Sequence, residues 1–178
     1  MPATYTLISS TTIATSGVTS LVSFTNIDQT YTDLVLRMSL RNDVSFAFEM
    51  FNCGLRASGG TYLGTSQTWL YGDGASGSST QLGSANVFET NYVNAGNSTS
   101  DTFTSLELYI PNYSVAGVKK AASLNYASER NNSTAYIVSM ALLSGNASTS
   151  AVGRIDYDAG SGYFRAGSSF YLYGISNA

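Results

Sequence analysis

Residues 33–41, DLVLRMSLR, alternate in polarity: Leu34, Leu36, Met38 and Leu40 share one side, and Val35, Arg37, Ser39 and Arg41 the other. A period of two is that of a half-buried strand. Residues 45–51, SFAFEMF, repeat it with Phe46, Phe48 and Met50 on one face and Ala47, Glu49 and Phe51 on the other. The Asn42-Asp43 step between the two segments is a turn signal, so together they predict a β-hairpin. Further strands are predicted in TYTLISSTTI, TSLVSFTNI, TFTSLELYI, AASLNYASE, TAYIVSMALL, VGRIDYD and SSFYLYGIS. The intervals between them, such as TSG, IDQT, RNNST and AGSGYFRAG, are rich in Gly, Asn, Ser and Asp, which suit turns through backbone freedom or local side-chain bonding.

The main interruption is residues 54–100, rich in Gly and Ser yet carrying Tyr62, Leu63, Trp69, Leu70, Tyr71, Val87 and Phe88. A solvated linker does not hold so many large apolar groups. The segment reads as a long excursion with one or two strands, QTWLYG and ANVFET, and a loose tip at GDGASGSST.

Eight to ten short strands without helical intervals predict an all-β fold, an antiparallel β-sandwich of jelly-roll type, in one domain over residues 1–178. The closing segment sharpens this. Phe170, Tyr171, Leu172, Tyr173 and Ile175 are strand-prone and apolar, so the strand is expected to insert between others, with early strands such as TYTLISS as partners. Tyr171, Tyr173 and Ile175 would share one face, Phe170 and Leu172 the other. Large residues on both faces predict a strand covered on both sides, by the second sheet and by another subunit.

Composition narrows the function classes. Only 11% of residues are charged, against about a quarter in ordinary domains. The 13 Tyr and 8 Phe argue against disorder, because they supply apolar surface to offset chain entropy. The 8 Lys and Arg are scattered, with Lys119-Lys120 the one adjacent pair, so no phosphate-tracking surface and no nucleic-acid partner are expected. No run of about 18 apolar residues occurs, so no membrane-spanning helix is expected. The segment MPATYTLISS lacks a basic and then apolar leader, so no secretory signal is expected. A single cysteine, Cys53, rules out an internal disulfide framework and reads as a small buried hydrophobe.

The catalytic inventory is thin. The chain has no histidine, which removes the commonest general base, metal ligand and triad member together. Asp156 and Asp158 are two apart in RIDYD and share a face on a strand. That spacing suits half a calcium site or a glycosidase pair. The plainer reading is a solvent-facing pair with Arg154 as ion partner. Asp73 lacks the alternating acids of a calcium loop, and the N-x-S/T sequons at Asn97, Asn112, Asn131, Asn132 and Asn146 follow from composition. Tyr62, Trp69 and Tyr71 are the candidate interface residues: such a cluster stacks on sugars or anchors a protein contact, or else plugs the open end of a sandwich. No catalytic residue, cofactor or metal is assigned, and no enzyme activity is expected.

At YTDLVLRMSLR, LELYIPNYSVAG and SSFYLYGIS the chain resembles a group of small all-β virion proteins of tailed bacteriophages, especially those of aquatic hosts. The resemblance covers nearly the whole chain, and its motifs are structural. It implies a capsid decoration or cement protein, a homotrimer bound to the major capsid protein on the capsid exterior and made in the bacterial cytoplasm. The alternative it implies is a tail-fibre or head-fibre adhesin that binds a host-surface glycan.

Overall fold

The computed structural model describes residues 4–73, 75–129, 136–143 and 148–176. Among them there are twelve strands and no helix: β1 (Tyr5–Thr12), β2 (Leu21–Phe24), β3 (Asp33–Leu40), β4 (Phe48–Arg56), β5 (Thr65–Gly72), β6 (Gly77–Ala85), β7 (Phe88–Asn94), β8 (Thr104–Ile110), β9 (Ala121–Ser128), β10 (Tyr136–Leu143), β11 (Arg154–Asp158) and β12 (Ser169–Ile175). They form an eight-stranded sheet in the order β1-β12-β3-β8-β9-β10-β5-β6 and a four-stranded sheet in the order β2-β11-β4-β7. Every pairing is antiparallel. The architecture is the all-β sandwich that the period-two segments predict.

The pairing is nested. β1 pairs with β12, β2 with β11, β3 with β8 and β4 with β7. The remaining strands extend the large sheet beyond β8, as β9-β10 and then the β5-β6 hairpin. The closing strand β12 lies between β1 and β3, as its apolar sequence requires. Phe170 and Leu172 face the core with no exposure, and Gly174 continues that face beneath the Tyr31 ring, whose Cγ would lie 2.3 Å from any Cβ at position 174. On the other side Tyr171 is 38% exposed and Tyr173 half-buried, while Ile175 is buried, so within this chain the outer face of the strand is covered only toward its end.

The core is a seam of aromatic rings contributed by both sheets. Phe51 and Tyr157 come from the small sheet, Phe170 from the large one, and Phe164 from the loop between β11 and β12. Phe164 stacks on Phe51 at 5.3 Å and meets Phe170 edge-on at 5.2 Å. Tyr157 meets Phe170 edge-on at 6.0 Å, and its hydroxyl shares a 2.8 Å hydrogen bond with Thr90 Oγ1, which satisfies the buried polar tip. Leu34, Leu36, Leu40, Leu55, Leu63, Leu108 and Leu124 fill the same cluster. Strands β8 and β9 show the simplest pattern: Leu106, Leu108 and Ile110, then Ala122, Leu124 and Tyr126, are buried at every second position.

Three expectations are corrected. First, β3 and β4 do not form a hairpin; they belong to different sheets. Asn42 is fully buried rather than placed in an exposed turn, and its Nδ2 donates to Ala159 O and Ser161 O, each at 2.8 Å. Its Oδ1 accepts the Val44 N–H at 2.8 Å. The side chain thus carries the crossing from one sheet to the other. Phe46 lies in that crossing, 63% exposed, and β4 begins at Phe48. Second, the Gly/Ser tip is largely ordered strand. β6 pairs with β5 from Gly77 to Ala85, and Asp73 Oδ1 accepts the N–H groups of Ala75 and Ser76 in the turn. Third, Arg41, expected on the outward side, is buried at 2% exposure.

Arg41 and Lys120 are buried cations that hold loops by their carbonyls. Arg41 Nη1 donates to Thr99 O at 2.6 Å and Thr102 O at 3.3 Å, while Nη2 donates to Ser98 O at 3.0 Å and Gly96 O at 3.2 Å. Burial and then the Arg165 charge pull its pKa down, against Asp101, yet a guanidinium stays protonated in proteins. Lys120 Nζ donates to Val115 O and to Val118 O, gathering the β8–β9 loop.

Candidate functional site

Tyr62, Trp69 and Tyr71 are not brought together as one patch. Trp69 is 8% exposed and belongs to the core, and Tyr71, on the same side of β5, packs its ring 5.4 Å from that of Tyr92. The exposed apolar residue of this strand is Leu70, at 63%. Tyr62 lies on the outer face of the small sheet, where its ring covers Gly54: a Cβ there would come within 2.7 Å of Tyr62 Cε1. The Arg56 guanidinium sits 3.6 Å from the centre of that ring and donates through Nη2 to the Tyr62 hydroxyl. A tyrosine clamped in this way is a lid on the sheet.

Beside it lies Asp156, the buried centre of a charged cluster. Arg154 Nε donates to its Oδ1 at 2.7 Å, and Ser23 Oγ donates to the same atom at 2.7 Å. Arg56 Nε lies 2.6 Å from Oδ2 as an ion pair, off the line of a hydrogen bond. Burial pushes the Asp156 carboxyl upward, but the bonds from Arg154 and Ser23 and the charges of Arg154 and Arg56 outweigh it and hold it below the usual carboxylate range. Asp158 is set apart, its Oδ1 accepting the Gly160 N–H at 2.8 Å. The Arg154 partner foreseen in the sequence is present, joined by Arg56, but Asp156 is buried rather than solvent-facing. With two cations already on Asp156, the pair is not arranged to receive a third.

The sign of this arrangement fixes a pH dependence. A carboxyl held below its unfolded pKa of about 3.9 contributes stability that is fully present above that value and is lost as pH falls through the folded pKa. Asp156→Asn is therefore expected to lower stability by about 1–3 kcal/mol at neutral pH, the cost of losing hydrogen bonds to a charged group. In thermal melts the gap between the two proteins should stay constant down to about pH 4 and close in stronger acid. With no histidine in the chain, the melting curve of each should be flat between about pH 5 and 8.

Among the described residues, no three His, Cys, Asp or Glu side chains converge to hold a metal. Cys53 is fully buried, and burial followed by the nearby Asp156 charge pushes its thiol pKa well up, which keeps it unreactive. Of the sequons, Asn131, Asn132 and Asn146 lie outside the described residues.

The site that the sequence did not reveal is on the outer face of the eight-stranded sheet. Register places Tyr171 on β12 opposite Arg37 on β3, Arg37 opposite Glu107 on β8, and Glu107 opposite Asn125 on β9. Four polar or aromatic side chains thus stand in one row across four strands. Arg37 Nε donates to Glu107 Oε2 at 2.9 Å, with the two side chains 56% and 47% exposed. The neighbouring row is Ser169, Ser39 and Ser105, small residues that leave a shallow groove of about 450 Å³ beside the larger ones. On the other flank Val35 stands between Tyr173 and Tyr109, and Tyr5 adds an exposed ring 5.9 Å from the Arg37 guanidinium. The one available signal was Arg37 and Glu107 themselves, opposite charges in the middle of strands in a chain with few charges.

The two edges of this sheet, β1 and β6, are eight and nine residues long and carry no charge or proline. Edge strands of monomers are normally blunted by such residues. Among the described residues, no helix is long and apolar enough to cross a membrane.

No protein-family model matches the chain, and no curated protein matches it. Among solved structures, infectious bursal disease virus VP2 in its subviral particle aligns over 97% of this chain and 41% of its own, with 12% identity and a TM-score of 0.17. A score that low carries no argument.

Proposed function

We propose that the protein is a structural component of a bacteriophage virion that binds the outer surface of the head and stabilises it. The observation that carries this reading is the nested order of the eight strands β1, β2, β3, β4, β7, β8, β11 and β12. First pairs with last and second with second-last, and successive strands alternate between the two sheets except at the centre, where β4 and β7 pair within the small one. We read this order as the winding of a jelly roll, enlarged by β9-β10 and by β5-β6, an architecture found among viral capsid proteins. The sequence resemblance to phage virion proteins points the same way.

In this reading the chain catalyses nothing. It bridges major capsid subunits, and many copies each contribute a modest binding term that favours the assembled shell alone. The uncharged edges β1 and β6 support self-association, and a trimer suits positions of local threefold symmetry. Light scattering of the purified chain checks this: a monomer mass at every concentration would count against it. The contact with the shell is assigned to the β5-β6 hairpin, with Leu70 as its exposed apolar anchor in place of the buried Trp69.

The test is to add purified protein to phage heads that lack it. Saturable binding to intact heads, with greater resistance to heat, is the expected result. Absence of binding to heads together with binding to host cells would overturn the assignment in favour of an adhesin.

A further inference from the structure

The row Tyr171–Arg37–Glu107–Asn125 has no task in holding a shell together. It lies on β12, β3, β8 and β9, separated by β10 from the β5-β6 hairpin assigned to the capsid. We propose that this groove binds a neutral oligosaccharide, lying across the strands of the eight-stranded sheet.

Three properties select that ligand. The first is charge. Arg37 and Glu107 neutralise each other at 2.9 Å, so the groove presents neither a cation for phosphate or sulfate nor an anion for a metal or basic peptide. It is nonetheless dense in hydrogen-bonding groups. A guanidinium offers only donors, a carboxylate only acceptors, and Asn and Ser offer both. Adjacent hydroxyls of a sugar ring are donors and acceptors at once, and planar forked groups such as guanidinium and carboxylate bridge two of them. An exposed ion pair contributes little by itself, so redirecting its bonds to a ligand costs little.

The second property is the ring at the end of the row. Tyr171 is 38% exposed on a strand whose next inward neighbours, Phe170 and Leu172, are fixed in the core. A rigidly held tyrosine presents a π face to the C–H groups of a pyranose and a hydroxyl to its rim. The third is shape. The volume of about 450 Å³ falls within the 300–1,000 Å³ of small-ligand sites. Four adjacent strands separated by about 4.8 Å give a row of about 14 Å, the length of a short run of sugar rings. A peptide adding to the sheet is disfavoured here, because β12, β3, β8 and β9 each have strand partners on both sides.

The test is calorimetric titration of the full chain with maltohexaose, cellohexaose, laminarihexaose and chitohexaose, with an alginate oligomer as the anionic comparison. Saturable binding of at least one neutral chain is expected. Tyr171→Ala and Glu107→Gln should each weaken it by about tenfold, the size of one lost stacking or charge-assisted contact, with melting temperatures unchanged. Glu107→Gln keeps the shape of the groove, so its effect reads the chemistry apart from folding. No binding of any neutral chain up to about 10 mM, below which even millimolar affinity is visible, overturns the inference. So does preference for the alginate oligomer, or binding that both variants leave intact. The head-binding experiment is independent of all these outcomes, so either proposal can fail alone.

Discussion

A chain cut before Ser169 is expected not to fold. β12 lies between β1 and β3, so its removal strips the hydrogen-bond ladder from one side of each and leaves β1 without a partner strand. It also removes Phe170 and Leu172, both without exposure, and Ile175, at 7%. Truncating one buried Phe or Leu to Ala costs about 2–5 kcal/mol, while a domain holds only about 5–15 kcal/mol in all. The Phe170 ring is moreover the large sheet's contact with Tyr157 and Phe164, so the two sheets lose their seam together with the strand. Far-UV circular dichroism without a β signal and the absence of a cooperative melt are the expected readings. A soluble truncated chain that melts cooperatively would show that the sandwich closes without this strand.

Arg41→Ala is the point substitution expected to cost most among the charged residues. The guanidinium binds four carbonyls, those of Gly96, Ser98, Thr99 and Thr102, and so fixes the whole turn between β7 and β8 against the end of β3. Each buried carbonyl left without a donor costs about 1–3 kcal/mol, and water entering the loop recovers part of it, so a loss of about 3 kcal/mol is expected. Arg41→Lys should restore little of this, because one ammonium cannot reproduce a planar fork that reaches four acceptors. Urea denaturation gives the loss in stability, and amide exchange across residues 95–102 should rise in both variants.

The strands were legible where burial alternates on one face. β8, β9 and β12 lie within their apolar-polar segments because the core decides which side chains turn inward, and β3 lies within its own although Val35, on its outward side, is buried between Tyr173 and Tyr109. β6 was not, because GSSTQLGSA has no apolar alternation to read, and its pairing with β5 gives it strand form. The Asn42-Asp43 step misled because a turn signal is local, whereas Asn42 takes its partners from Ala159 and Ser161, far along the chain. Arg41 continues the outward phase of β3 by position, yet the strand ends at Leu40 and the side chain turns in to the carbonyls. The groove failed to show for a related reason. Tyr171, Arg37, Glu107 and Asn125 each sit on a predicted strand, but the register that sets them side by side is a property of four strands together.

The nested order also governs time. Tyr5 finds Ile175, and Leu21 finds Asp158, so the outermost pairings join segments from opposite ends of the sequence. Closing such long loops is entropically unfavourable before any contact rewards it, which places this topology among slow folders. Of the nested pairs, β4 with β7 has the least chain to close, and the β5-β6 hairpin inside it, with Gly72 opposite Gly77, has less still and is the natural first contact. Once β12 has slid between β1 and β3, leaving requires two ladders to break together. A high barrier in that direction gives a long native lifetime, set by the rate of unfolding as much as by equilibrium stability.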